Sequence, residues 1–195
     1  MSTATRGAEV SGAARDMVIW ADRLILGTSR HWLFVLNTLL FIFVTLPVLA
    51  PILLAAGFNE PANAIYAAYS LVCHQMPSRS YFIFGHQVAY CQRNFAIYTS
   101  IFLAGLGYIF VRDRLRPLPL WAYLLLIAPM AVDGTTQLFG WRLSNWWLRG
   151  ITGTLFGVAS VWLAFPYLEI GFRDIREQAE RQLGKVGWGG STGAD

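Results

Sequence analysis

Between residues 73 and 94 the chain gathers both of its cysteines and two of its three histidines, as Cys73-His74-Gln75, Arg79-Ser80, His86-Gln87 and Cys91-Gln92-Arg93-Asn94. Three chemistries fit the thiols. Cys73 and Cys91 enclose seventeen residues, and a disulfide closing such a loop in an oxidising compartment stabilises by about 3 kcal/mol on chain-entropy grounds. The pair can equally stand as free thiols, or take a catalytic or metal-binding role. A close C-x-x-C pair, which would favour thiol oxidoreduction, does not occur. Zinc wants three or four ligands. Cys73, His74, His86, Cys91 and Asp133 supply the types, but Cys73 and His74 are adjacent and not spaced as a chelating pair. His74 with His86 suits axial haem ligation by type alone, and His74 also suits a proton carrier or a hydrogen-bonded structural residue. The pattern commits to no metal and names no cofactor. A Gly-rich phosphate loop, a nucleophile elbow and H-E-x-x-H are all missing.

The elements that position these residues follow from composition. Of 195 residues, 55% are hydrophobic and 13% charged, about half the charged fraction usual in soluble domains. The net charge of +4 is spread between apolar runs and not along one stripe, which argues against nucleic-acid binding. An all-α integral membrane protein remains. Residues 32–56 carry no charge and at 1.5 Å per residue reach about 37 Å, enough to cross a ~30 Å hydrocarbon core. This length, behind a 31-residue leader, favours a spanning helix over a signal peptide. Further spans are expected at about 95–111, 118–137 and 146–168, giving four. Eleven of the fifteen Lys and Arg flank the predicted spans on one side, so both termini are expected in the cytoplasm of a cell whose inner (plasma) membrane holds the chain, with 57–94 and 138–145 facing outward.

The connection 57–94 is too apolar for an ordinary loop. Residues 65–72 and 81–84 are too short to span, and predict a short re-entrant or interfacial helix. Amphipathic helices flank the membrane domain of residues 32–168. In the cytoplasmic segment 1–31, Met17, Trp20, Ala21, Leu24 and Ile25 recur at helical spacing opposite Asp16, Asp22 and Arg23. In the tail 169–195, Phe172, Ile175 and Ala179 share a face, and disorder is expected after about residue 184. Trp20, Trp32, Trp121, Trp141, Trp146 and Trp147 fit an aromatic belt, and Gly153-x-x-x-Gly157 fits a close helix contact.

Two charges fall inside predicted spans. Counting from the span ends puts Asp133 and Arg149 at matching depths, each roughly 6 Å below the outer boundary. An unpaired charge there would cost several kcal/mol, so an Asp133–Arg149 ion pair is expected, with Arg93 as the alternative cation. Gln137 lies one turn beyond Asp133, and Asn145 one turn before Arg149.

The ordered set Cys73-His74-Gln75-Met76-Pro77-x-Arg79-Ser80, Gly85-x-Gln87, Cys91-x-Arg93 and Ile97-Tyr98, followed by Asp133-Gly134-x-x-Gln137, Ser144-Asn145, Arg149 and Thr152-Gly153, resembles DUF2085, a family of prokaryotic membrane proteins of unknown function. The resemblance covers residues 60–160 and implies a small helical membrane protein without assigning a reaction. Many members carry C-x-R-C where this chain has Cys91-Gln92-Arg93-Asn94. The absent thiol weighs against a thiolate-rich metal site.

These readings converge on an outward polar pocket formed by Cys73, His74, Gln75, Arg79, Ser80, Gln87, Arg93, Asp133, Gln137, Asn145 and Arg149. The leading expectation is a ligand-binding or accessory subunit that takes an anionic lipid, a quinone or a partner membrane protein. The alternatives are a membrane enzyme using His74 and Asp133 as acid and base on a lipid or isoprenoid, and a small proton-coupled transporter in which Asp133 titrates. Expected partners are the lipid bilayer and either a larger membrane complex or a second copy of the chain, with no nucleic acid.

Overall fold

The structure is a computed structural model and describes residues 12–142 and 144–185. It divides into two compact units, residues 33–169 and residues 1–32 together with 170–195. The expected disorder beyond residue 184 falls almost wholly outside the described residues.

Within the larger unit, three helices are long and apolar enough to cross a membrane. They are α2 (Trp32–Ala55), α4 (Gln92–Val111) and the first part of α6 (Trp146–Lys185), with α3 (Asn59–Ser70) between the first two. A further helix, α5 (Leu120–Leu138), stands where the fourth span is expected. Asp133, Thr135, Thr136 and Gln137 dilute its apolar character at one end. Helix α2 runs on through Pro47 and Pro51 to Ala55 and is followed by Gly57, whose φ of +85° favours glycine. Much of the apolar surface points outward: Phe34, Phe41, Leu103, Phe110, Leu120 and Leu125 are all exposed. Such an outward-facing set is what a bilayer solvates.

The all-α expectation needs correcting in the 57–94 connection. The 12-residue helix α3 is followed by a 3-10 turn at Pro77–Arg79 and then by an antiparallel hairpin, β1 (Ser80–Ile83) and β2 (His86–Cys91). Ile83 pairs with His86, so Phe84 and Gly85 form a two-residue turn with φ of +50° and +79°. Two successive positive φ values define the turn that matches strand twist. A register irregularity between Ser80 and Phe82 lets Ser80 face Cys91. The hairpin belongs to a buried cluster of Ala50, Tyr69, Cys73, Val88, Ala89 and Tyr90, packed by Phe43, Ile65, Tyr81 and Phe95. Tyr69 and Tyr90 hold it to α2 by donating to the carbonyls of Phe43 (2.6 Å) and Val44 (3.2 Å).

Packing of α4 against α6 rests on glycine. A Cβ on Gly153 would stand 2.9 Å from both Ala96 Cβ and the Arg93 carbonyl oxygen, and one on Gly157 would stand 2.7 Å from the Ile97 carbonyl oxygen. The small-xxx-small spacing is therefore a helix contact.

In the smaller unit, α1 (Gly12–Arg30) exposes Met17, Trp20, Leu24 and Ile25 on its apolar face. Leu26 packs on Ala179, and Arg30 meets Glu180 at 3.1 Å. Trp32 departs from the belt reading: it is buried and stacks on Phe172, with ring centroids 5.3 Å apart.

Candidate functional site

Asp133, near the end of α5, is the centre of a polar group and is 1% exposed. Gly140, with φ of +71°, ends that helix and turns the chain back. The turn returns Arg142 and Ser144 to the carboxylate. Asp133 Oδ2 accepts from Arg93 Nη2 and from Ser144 Oγ (2.8 Å), and Oδ1 accepts from Arg142 Nη2 at 2.8 Å. Gln137, one turn further, accepts from Arg93 at 3.5 Å.

The expected Asp133–Arg149 pair is not formed. Arg149 sits on the first turn of α6 and donates to Gln92 Oε1 (3.0 Å) and to the Ser144 carbonyl oxygen (2.6 Å). Ser144 stands between the two charges, giving its hydroxyl to Asp133 and its carbonyl to Arg149. Arg93, the alternative cation, takes the carboxylate with Arg142. Asn145 is a helix cap: its Oδ1 accepts the Leu148 N–H at 2.8 Å, satisfying an otherwise orphaned donor.

The remaining candidates sit around the hairpin. Gln87 donates to the Gln75 carbonyl oxygen (2.5 Å) and to Ser80 Oγ (3.2 Å), while Gln75 donates to the Tyr66 carbonyl oxygen at 2.7 Å. These three side chains fasten the turn after α3 onto the hairpin. Gln75 itself has φ of +49°. His74 is exposed beside them and His86 is half-buried at the start of β2. Gln92 joins the two groups, donating to the Ser80 carbonyl oxygen (3.4 Å) while its Oε1 accepts from Arg149.

Both cysteines are free thiols and neighbours, with the Cys91 amide 3.2 Å from Cys73 Sγ. Cys91 caps the N-terminus of α4. Interaction with the Cys73 thiol lowers the pKa of Cys91 most; burial opposes this, and the Asn94 and Arg93 amides and the Arg93 charge add to it, leaving the pKa at about 6. The same interaction, with burial, pushes Cys73 well above the usual thiol range.

Among the described residues, no three His, Cys, Asp or Glu converge to hold a metal ion. Guanidinium groups dominate instead. Arg93 and Arg142 both pair with Asp133, and Arg149 joins them through the Ser144 carbonyl. Arg93 Nε, Arg149 Nε and Gln137 Nε2 are buried N–H donors with no hydrogen-bond partner among the described residues. An apolar groove of about 390 Å³ is lined by Tyr81, Trp146, Trp147, Gly150, Ile151, Thr154 and Leu155.

Sequence reasoning missed Arg142, Ser144 and Gln92 as site residues. Arg142 falls in the 138–145 connection, expected only to face outward. The signal that was present is Gly140, which closes α5 and brings Arg142 back within nine residues of Asp133.

A family model described as "Predicted membrane protein (DUF2085)" matches residues 73–163, which include both thiols and the whole Asp133 cluster. The chain is 40% identical over 147 residues to an uncharacterised protein of Methanocaldococcus jannaschii, covering 71% of this chain and 92% of that one. It is 33% identical over 90 residues to an uncharacterised protein of Methanothermobacter thermautotrophicus, covering 46% of this chain and 81% of the relative. No solved structure matches. The chain belongs to the DUF2085 family of membrane proteins.

Proposed function

We propose that this protein is a multi-pass membrane protein that binds an anionic headgroup at the hairpin end of its helices, through Arg93, Arg149 and Gln137. The observation that carries this reading is the set of three buried, unpartnered N–H donors in a cluster where Arg93 and Arg142 hold one carboxylate and Arg149 reaches it through Ser144. Leaving a buried donor unsatisfied costs about 1–3 kcal/mol, and acceptor oxygens of a phosphate or carboxylate would relieve all three. The N-termini of α4 and α6 lie at the same end and add their positive dipole ends. The apolar groove starts one residue from Arg149 and has room for an acyl chain, so the headgroup of an anionic lipid is the favoured source of the anion. Binding is better supported than proton transfer, because both Asp133 oxygens are occupied by Arg93, Arg142 and Ser144.

The topology belongs to the same proposal. Helix α5 exposes Leu120, Trp121, Leu124, Leu125 and Val132, as a bilayer-facing helix does, and serves as the fourth span. The basic flanks support a cytoplasmic location for both termini, with the arginine cluster on the outer side of the plasma membrane.

The test is lipid retention by the full-length chain in nanodiscs of mixed anionic and zwitterionic phospholipid, read by native mass spectrometry. The wild type should retain anionic phospholipid preferentially, and Arg149→Gln should lose that preference while Arg149→Lys keeps part of it. Displacement by free inorganic phosphate would point to a soluble anion as the source. Equal retention of both lipid classes by wild type and Arg149→Gln would overturn the proposal.

A further inference from the structure

Cys73 and Cys91 are well separated in sequence and brought together by three elements: the end of α3, the hairpin and the start of α4. Their environments differ in every respect that governs thiol exchange. Cys91 is half-buried and holds the N-cap position of α4. Cys73 lies in the buried cluster with Tyr69 and Tyr90 at 7% exposure. The Cys91 amide donates to Cys73 Sγ at 3.2 Å.

We infer that Cys91 and Cys73 form a dithiol–disulfide exchange couple, in which Cys91 attacks the disulfide of an external oxidant and Cys73 resolves the mixed disulfide. This inference does not depend on the anion-binding reading. The oxidant class is a disulfide-bearing molecule, either a low-molecular-weight disulfide or a protein that carries one. The Cys91 thiolate forms a bond to one sulfur of that disulfide and expels the other as a thiolate. Cys73 then gives up its proton to solvent, bonds to Cys91 Sγ and expels the second thiolate. Two protein thiols are oxidised and one external disulfide is reduced to two thiols. Asymmetry gives the couple its direction: the attacking sulfur is acidic and reachable, and the resolving sulfur is buried against it, so a mixed disulfide at Cys91 is short-lived.

The experiment exposes the full-length chain in detergent or nanodiscs to glutathione buffers of graded ratio, followed by alkylation and peptide mass mapping. In the wild type both thiols should disappear together into a Cys73–Cys91 linkage. Cys73→Ser should accumulate one glutathionyl group on Cys91, and Cys91→Ser should acquire one on Cys73 more slowly by about tenfold or more. Where either variant fails to fold, the wild type decides the matter by itself: brief alkylation of the reduced chain should mark Cys91 before Cys73, with a midpoint near the Cys91 pKa of about 6. Thiols that stay free in fully oxidised glutathione, equal adduct rates in the two single variants, or first alkylation at Cys73 would each overturn the inference.

Discussion

Arg142 reaches back nine residues to place its Nη2 2.8 Å from Asp133 Oδ1, although its own side chain is 53% exposed. The opposite oxygen is held by Arg93, whose side chain is 21% exposed. The same carboxylate thus has one rim partner and one interior partner, and the two should differ in weight. Exposed pairs contribute at most about 1 kcal/mol, whereas removing one member of a buried pair costs about 3–5 kcal/mol. Thermal unfolding in detergent should show a small loss for Arg142→Ala and a large one for Arg93→Met. The double variant Arg93→Met with Asp133→Asn should recover part of that loss. Equal losses for the two arginines would contradict this division.

Glycines of α6 should fall into two groups. Gly157→Ala forces a methyl against the Ile97 carbonyl at the α4 contact, and such overpacking costs about 1–3 kcal/mol. Nothing lies within 4 Å of a Cβ at Gly150, so Gly150→Ala should be neutral or should stabilise by up to about 1 kcal/mol through helix propensity. Paired melting curves distinguish the two sites.

The cap of α6 depends on a single side chain. Asn145→Ala removes the acceptor for the Leu148 N–H and should cost about 1 kcal/mol, while Asn145→Asp and Asn145→Ser should retain most of the stability. Because Arg149 follows on the same turn, the Ala variant should also weaken retention of anionic lipid. Retention unchanged in a measurably destabilised Asn145→Ala would separate the cap from the cluster.

Alkaline pH should loosen the hairpin. Burial raises the pKa of Tyr66; burial and then the Tyr98 charge raise Tyr69 to about 12; burial and then the Tyr69 charge raise Tyr90. Unfolded tyrosine titrates near 10. A folded pKa above the unfolded one means stability that is complete below pH 10 and is lost as pH rises through about 12. The hydroxyls concerned donate to Gln87, Phe43 and Val44 carbonyls, so ionisation removes those bonds. Ultraviolet titration of tyrosinate alongside hydrogen exchange in residues 80–91 should show both changes in one pH window.

The spanning helices were legible because uninterrupted apolar length is a direct consequence of bilayer thickness. Residues 32–55 and 95–111 needed nothing else. The hairpin was not legible, because Tyr81-Phe82-Ile83 and Val88-Ala89-Tyr90 are apolar runs without alternation. β2 buries three consecutive residues, and the period-2 pattern that announces a strand is absent. Asp133 and Arg149 were identifiable as charges that must be satisfied, but their partners were not. Pairing is decided by the turn at Gly140 and by the interposed Ser144, which are tertiary facts. Asn145 reads as a pocket residue, and its capping role follows from where α6 begins.

Cys91 is both the last residue of β2 and the residue that starts α4, so strand and helix share one phase with no slack between them. Each residue advances an α-helix by about 100°. One residue inserted or deleted between Gly85 and Arg93 would therefore swing Arg93 round the axis of α4 and away from Asp133, even with every side chain intact. Spacing along this stretch is as much a part of the site as the arginine itself, and only changes in length that compensate within it leave the carboxylate with its interior partner.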